Sequence, residues 1–390
     1  MSEYEELKKY LEKNKKEIKK EIKEIVQIDS PTYPALGTNK VIDYFSKKFK
    51  LFEIQSKRLK GTKGTGDHLL VTIKGKQKNK SKILLIGHCD TVFPLQTSDK
   101  RPFKIKGKTA FGPGVADMKS SLITCIHVIK FIQEKYLEKV GEIQILFNSD
   151  EERGNPSSRT IIEKLAKNTS AGLIIEPARA NGSIVSARKG SVIGKLEVNG
   201  IAAHSGVEPE KGASAIYEIT KKIAEILKLK VKNGNINVTG LMGGDRPNIV
   251  AEKAECLIEL RASEQSTLNK TTERIKKIVA KKPFVPKTKS TYKIIGQRPA
   301  MEFNQKTNVL LKITEKIYEK ARMRFSHTST GGGSDGNYLS AMGVPVLDGL
   351  GPIGGSLHTD LEYLQLESIP RRGAVLGTLI IQLSSCSEIK

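Results

Sequence analysis

The chain predicts an α/β protein: a mixed, mostly parallel sheet with helices on both faces, carrying an inserted α+β layer. Three observations predict it. Short apolar runs such as Ile83-Leu84-Leu85-Ile86 and Ile143-Gln144-Ile145-Leu146-Phe147 are each followed by polar residues and then a helical pattern, as strands buried in a largely parallel sheet are. From about Lys189 to Tyr292 the order of elements changes to strand, helix, strand, strand, helix, and beyond it the first style resumes. Finally, 390 residues exceed one ordinary core, since a domain takes roughly 100–200.

Each element follows from its periodicity. Leu7, Leu11, Ile18, Ile22 and Ile25 recur at threes, fours and sevens, so residues 4–28 read as one amphipathic helix ending before Ser30-Pro31. The same reading gives helix 37–49, strands 53–58, 69–75 and 83–87, helix 117–136, strand 142–148, helix 157–167 and strand 172–176. The middle region gives strand 191–198, helix 211–227, strands 235–241 and 249–261, and helix 267–281, a βαββα arrangement. Helix 307–321 and strand 344–347 complete the chain. The first domain is therefore expected in two pieces, 1–188 and 297–390, with 189–296 inserted between them.

Composition narrows the function classes. Hydrophobic residues at 38% and charged ones at 28% give a globular chain. A formal charge of +24 raises the possibility of a nucleic-acid partner. Pairs such as Lys8-Lys9, Lys15-Lys16, Lys221-Lys222 and Lys276-Lys277 are instead scattered along the whole chain, with no arm of lysines interleaved with stacking aromatics. A solvated basic surface with a general attraction for anions is the reading adopted. The first thirty residues carry no signal-peptide or transit pattern, and no window reaches about 18 uninterrupted apolar residues. The expectation is a soluble cytoplasmic protein with no membrane partner. Cys89, Cys125, Cys256 and Cys386 stand far apart without a CxxC pair, which favours free buried thiols over a disulfide frame or a thiolate metal site.

The polar groups hardest to explain as packing lie in Gly87-His88-Cys89-Asp90, Gly114-Val115-Ala116-Asp117-Met118-Lys119, Ser149-Asp150-Glu151-Glu152-Arg153-Gly154, Ile175-Glu176-Pro177 and Ser356-Leu357-His358-Thr359-Asp360. His88, Asp90, Glu151, Glu152 and Glu176 follow apolar runs, so they are expected at one sheet edge, where loops begin. One or two histidines with several carboxylates and no thiolate suit a divalent ion of borderline hardness, Zn²⁺ first, with Co²⁺ or Mn²⁺ as substitutes. Such carboxylates repel one another when unpaired, and a pair of dications removes the repulsion.

The segments GHCDTVFP, GPGVADMKS, SDEERG, IEPA, AAHSG, RPNIV, GGGSDGNYL and LHTDLEYL, in this order from about residue 80 to 373, resemble the peptidase M20 family of metallopeptidases, nearest its glutamate carboxypeptidase branch. The resemblance implies a zinc-exopeptidase-like fold, an inserted lid and dimerisation domain, and a homodimer. It implies two Zn²⁺ per subunit: His88 and Glu176 on one ion, Glu152 and His358 on the other, Asp117 bridging both. Asp90 matches the carboxylate that orients the His88 imidazole, and Glu151 the general base that moves a proton from the water between the ions to the leaving amine. His204 matches a histidine that stabilises the oxyanion, which in dimeric members reaches the site from the partner subunit. Asn248 and Arg261, with Gly332 and Gly333 offering backbone donors, match binders of the substrate's terminal carboxylate, and Arg298 a binder of a glutamate side chain. The resemblance also implies a cis peptide at Asp117-Met118.

Three positions depart from the family's pattern: Ser183 replaces a lysine used by glutamate-binding members, Glu259 replaces an Asp, and Ser120-Ser121 replace glycines. The function expected is a metallohydrolase that cleaves an amide beside a free carboxylate, a carboxypeptidase releasing C-terminal acidic residues such as glutamate. The alternatives are an N-acyl amino acid deacylase or dipeptidase with the same metal site, and a basic nucleic-acid-binding protein on a degenerate hydrolase scaffold. The substrate expected is a small peptide or N-acyl amino acid. His204 also fits a structural role and Arg298 a surface one, while His68, His127 and His327 fit no ligand spacing.

Overall fold

The computed structural model describes residues 1–77, 81–386 and 388–389. They fall into two units, Met1–Ala187 with Phe303–Ser329 and Ser334–Lys390, and Arg188–Glu302 with Thr330–Gly333.

In the first unit a six-stranded sheet has the order Gln55–Leu59, His68–Lys74, Glu142–Asn148, Lys82–His88, Ala171–Ile174, Val346–Leu347. The last four strands are mutually parallel, and the first two pair antiparallel. Residues 83–88 and 143–148 are all buried, so both faces of these strands are covered, which is why their apolar runs do not alternate. His88 pairs in register with Asn148 and Ile86 with Ile174, so whatever follows each of these strands emerges at one edge. A second, antiparallel sheet in the order Gly354–Gly355, Tyr363–Gln365, Thr109–Phe111, Lys104–Lys106 sends out two loops, 112–119 and 356–362.

The N-terminal segment is two helices, Glu3–Lys13 and Lys15–Val26, where the periodicity predicts one. The break falls at Asn14, whose side-chain amide donates to the Tyr10 carbonyl at 2.8 Å, in the gap of the apolar stripe between Leu11 and Ile18. Breaking there lets Leu7 and Leu11 as well as Ile18, Ile22 and Ile25 be buried. Leu7 packs on the helix Ser368–Ser385 at Gly377, where an added Cβ would stand 2.7 Å from the leucine methyl, so glycine permits the close approach. His127 lies on the helix Ser120–Lys135 and meets the buried Glu21 at 2.6 Å, with Lys48 on the other carboxylate oxygen. That helix starts three residues later than predicted, because Asp117 and Met118 are non-helical and the peptide joining them is cis.

The second unit is a four-stranded antiparallel sheet in the order Gly234–Gly243, Lys253–Ala262, Gly190–Asn199, Lys289–Arg298. Burial alternates strictly along residues 190–198, so one face is covered. Leu196, Val198, Cys256 and Ile258 form that face's core with Ile219 and Ile226 of the helix Ala215–Leu227 and Ile275 of the helix Gln265–Ala280. The strand Lys289–Arg298 extends the predicted βαββα order by one element.

Leu7→Ala is expected to cost about 2–5 kcal/mol, because it empties a fully buried site against a rigid helix. Chemical denaturation followed by circular dichroism measures it, and a loss below about 1 kcal/mol contradicts this packing.

Candidate metal centre

The parallel strands and the two loops of the small sheet bring five ligand-type side chains together in the first unit. His88 ends its strand, Glu151 and Glu152 stand in a short turn that starts three residues after Asn148, and Glu176 lies two residues after Ile174. Asp117 comes from the loop 112–119 and His358 from the loop 356–362. Asp117 is central. Its Oδ1 lies 3.1 Å from His88 Nε2, which is also 3.5 Å from Glu176 Oε1. Its Oδ2 lies 3.2 Å from His358 Nε2, which is 3.4 Å from Glu152 Oε1. One carboxylate thus divides an imidazole–carboxylate pair on each side, and His88, Asp117 and Glu152 present ligand atoms within 4.8 Å of one another.

The electrostatics are those of a site short of positive charge. Burial, opposed by the His358 contact and reinforced by Asp117, pushes Glu152 up to about 8. Burial and then the Asp117 charge push Glu176 up to about 7. Hydrogen bonds to Asp117 and Glu152 lift His358 to about 10. Burial disfavours charge on His88, but Asp117, Asp90 and Glu176 outweigh it and hold its pKa well above the usual. Burial likewise raises Asp117, and the two imidazoles reverse this and hold it low.

The donor set fits divalent ions. Tetrahedral zinc with ligand bonds of about 2.0–2.1 Å sets its ligand atoms about 3.3 Å apart, close to the four separations on either side of Asp117. Imidazole and carboxylate together suit Zn²⁺, and also Co²⁺ or Mn²⁺. Cys89 is fully buried, and burial raises its thiol pKa, so a thiolate adds nothing here.

Asp90 holds three of these groups at once. Its carboxylate accepts the Glu151 N–H at 3.2 Å and the Glu152 N–H at 3.1 Å. His88 Nδ1 lies 2.9 Å from the Asp90 carbonyl and 3.4 Å from its carboxylate, so the backbone shares in orienting the ring and leaves Nε2 facing Asp117. Two residues that the sequence reading passes over support these loops. Thr32 donates to Asp90 at 2.6 Å, and the buried Glu362 accepts backbone N–H groups from the Asp117 loop. A single Thr in a Pro-rich loop and a Glu in a polar stretch carry no periodic signal. The remaining histidine of the buried set, His68, meets Ser157 at 2.9 Å and the Ser149 N–H at 3.2 Å, a structural arrangement.

The other predicted site residues belong to the second unit and form two groups there. His204 is exposed, bridges Ile249, and its Nδ1 accepts the Gly206 N–H at 3.2 Å. Asn248 accepts the Ser205 N–H on its carbonyl at 2.9 Å. Arg261 and Arg298 both stand opposite Ser191 in the sheet, so they share a face. Arg261 donates to the Gly331 carbonyl at 2.8 Å and pairs with Glu259 at 2.7 Å, so the Glu that replaces Asp still reaches its arginine. A Cβ on Gly333 would stand 2.5 Å from Arg298 Cδ, and Arg188, also passed over in the sequence, donates to the Gly332 and Gly333 carbonyls at 3.1 and 3.3 Å. Ser183, where a lysine was expected for a glutamate binder, is buried in the first unit and meets Ser326 at 2.7 Å.

The chain is similar to known proteins over most of its length. Carboxypeptidase G2 of Pseudomonas sp. (strain RS-16) is 28% identical over 372 residues, covering 94% of this chain and 89% of that protein. Succinyl-diaminopimelate desuccinylase of Dechloromonas aromatica (strain RCB) is 27% identical over 316 residues, covering 76% and 82%. The crystal structure of aminopeptidase PepT from Bacillus cereus ATCC 10987 superposes with a TM-score of 0.77 at 23% identity, covering 95% of this chain and 99% of that one, and so shares the fold. Residues 84–382 match Peptidase family M20/M25/M40, and the chain, a peptidase or amidohydrolase with a candidate metal site at His88, Asp117 and Glu152, belongs to that family.

Proposed function

We propose that the chain is a two-zinc carboxypeptidase that releases C-terminal acidic residues such as glutamate. The observation that carries the two-ion reading is the division at Asp117, with His88 and Glu176 beside Oδ1 and His358 and Glu152 beside Oδ2. His88, Glu176 and Asp117 would hold one ion, and His358, Glu152 and Asp117 the other. When bound, the ions supply Lewis acidity toward the scissile carbonyl and lower the pKa of the attacking water.

The chain's own residues do the rest. Glu151 accepts the proton of the attacking water and returns it to the leaving nitrogen. Its backbone is held by Asp90, so the two neighbouring glutamates keep different tasks. His204 donates to the oxyanion of the tetrahedral intermediate. Arg261 and Asn248, with the Gly332 and Gly333 amides, grip the terminal carboxylate, and Arg298 the side-chain carboxylate. Support for an acidic residue comes from the three guanidinium groups gathered about residues 331–333.

A second reading, an N-acyl amino acid deacylase or dipeptidase, is favoured by Ser183, whose hydroxyl is engaged by Ser326 where a glutamate-binding lysine was expected. The exposed Leu241 and Met242 on the edge strand Gly234–Gly243 support a homodimer formed through the second unit. Four unpaired cysteines fit a reducing cytoplasm.

Release of glutamate from C-terminal glutamyl peptides is expected to be abolished by chelator and restored by Zn²⁺. Parallel assays on N-acetyl amino acids decide between the two readings, and preference for the latter rejects the carboxypeptidase. Glu151→Gln is expected to lower turnover by about 10²–10⁴-fold. His204→Ala should lower it by about 10²-fold with metal content unchanged, and near-normal turnover in either variant removes the assigned role. Ion affinity should rise with pH. At pH 6 the metal-free Glu152 and Glu176, shifted to about 8 and 7, hold protons that binding must expel, and by pH 8.5 most are gone. Calorimetry across that range should show tighter binding and proton release, whereas an affinity independent of pH contradicts the shifts.

A further inference from the structure

Glu362 is fully buried. Its carboxylate accepts three backbone N–H groups of a single loop, Gly114 at 2.9 Å on one oxygen, and Ala116 at 2.8 Å and Asp117 at 3.0 Å on the other. Val115 and Met118 are buried in the core and Lys119 reaches the Ile28 carbonyl at 2.6 Å, but the backbone between them is irregular. Gly114 takes a left-handed φ of 69°, Asp117 and Met118 are non-helical, and the helix begins only at Ser120. Three amides turned inward on one anion define the backbone path, and with it the direction in which Asp117 leaves the chain.

Glu362 also joins the two loops. It lies four residues after His358, and the next residue, Tyr363, pairs with Phe111, the last residue of the strand that leads to Asp117. The loops bearing Asp117 and His358 therefore leave neighbouring strands of the small sheet, and Glu362 ties them together at their base. A buried acid near the Asp117 carboxylate works against the stability of the metal-free protein: burial and the Asp117 charge raise its pKa, and the loop amides oppose them.

We propose that Glu362 is a positioning residue for the metal centre: by holding the three amides it fixes Asp117 between His88 and His358, and the affinity for both ions depends on it. The inference rests on the two-ion reading of the centre. Glutamine in its place keeps the volume, but one amide oxygen serves at most two of the three N–H groups, and its NH₂ opposes the third. Leucine serves none.

The test compares wild type, Glu362→Gln and Glu362→Leu as purified full-length chains. Zn²⁺ and Co²⁺ dissociation constants come from chelator competition, and the unfolding midpoint of each metal-free protein is measured beside them. Leu7→Ala, outside the centre, shows how far loss of stability alone weakens binding. Glu362→Gln is expected to bind ions about 10–100-fold more weakly than wild type, as loss of a group supporting metal ligands does, with a metal-free midpoint no lower than that of Leu7→Ala. Glu362→Leu should bind more weakly still, and if it does not fold the Gln comparison decides. Equal affinity in Glu362→Gln and wild type, or a weakening that Leu7→Ala reproduces, overturns the inference alone. A wild-type chain that binds no ion overturns the two-ion reading and this inference with it.

Discussion

The structure depends on crowding like charges where water is scarce. Asp117, Glu152 and Glu176 approach two imidazoles, and of the five groups only His358 is substantially exposed, at 53% of its side chain. With both histidines charged the group is still one negative charge in excess, and with both neutral it is three. The protein answers in the only way open to its own atoms, by raising the pKa values of Glu152, Glu176 and both histidines so that protons stand in for missing cations. Two divalent ions would supply the same charge without the protons. Such a cluster is costly to fold around and of little use to a protein that does not bind cations.

The fold is arranged to bear that cost. Parallel strands deliver His88, Glu151, Glu152 and Glu176 to one edge, where the strand ends place them without long, flexible loops. The two ligands from outside the large sheet, Asp117 and His358, leave adjacent strands of the small one. Beneath the ligands lie two further carboxylates that accept backbone amides: Asp90 under the Glu151-Glu152 turn, and Glu362 under the Asp117 loop. The ligand side chains are aimed by their own backbones, and those backbones are held by two acids outside the ligand set, of which Asp90 also meets the His88 ring.

Much of this was legible in the sequence because the physics writes it there. A buried parallel strand is a short apolar run, and a charged residue just past its end has few reasons to be present except chemistry, so His88, Glu152 and Glu176 stood out. The Asp117 and His358 segments stood out as polar too, but their loops have no period, and their ligand roles needed the family resemblance. The strand Lys289–Arg298 went unrecognised because its inward residues are few, chiefly Tyr292 and Ile294, and a register shift between Ile294 and Gly296 breaks the alternation. The division of the N-terminal helix at Asn14 was hidden by a stripe that keeps its phase across the gap. Glu362 was invisible for a different reason: a glutamate in Thr-Asp-Leu-Glu looks solvated until the amides it receives, some 245 residues away in sequence, are seen.

The central claim is that Asp117 lies between two divalent ions, each completed by one histidine and one glutamate. Diffraction from zinc-loaded crystals at the zinc absorption edge tests it most directly. Two anomalous peaks per chain are predicted, one contacting His88, Glu176 and Asp117 Oδ1, the other His358, Glu152 and Asp117 Oδ2. A single peak, or zinc bound elsewhere with Asp117 unliganded, would contradict it.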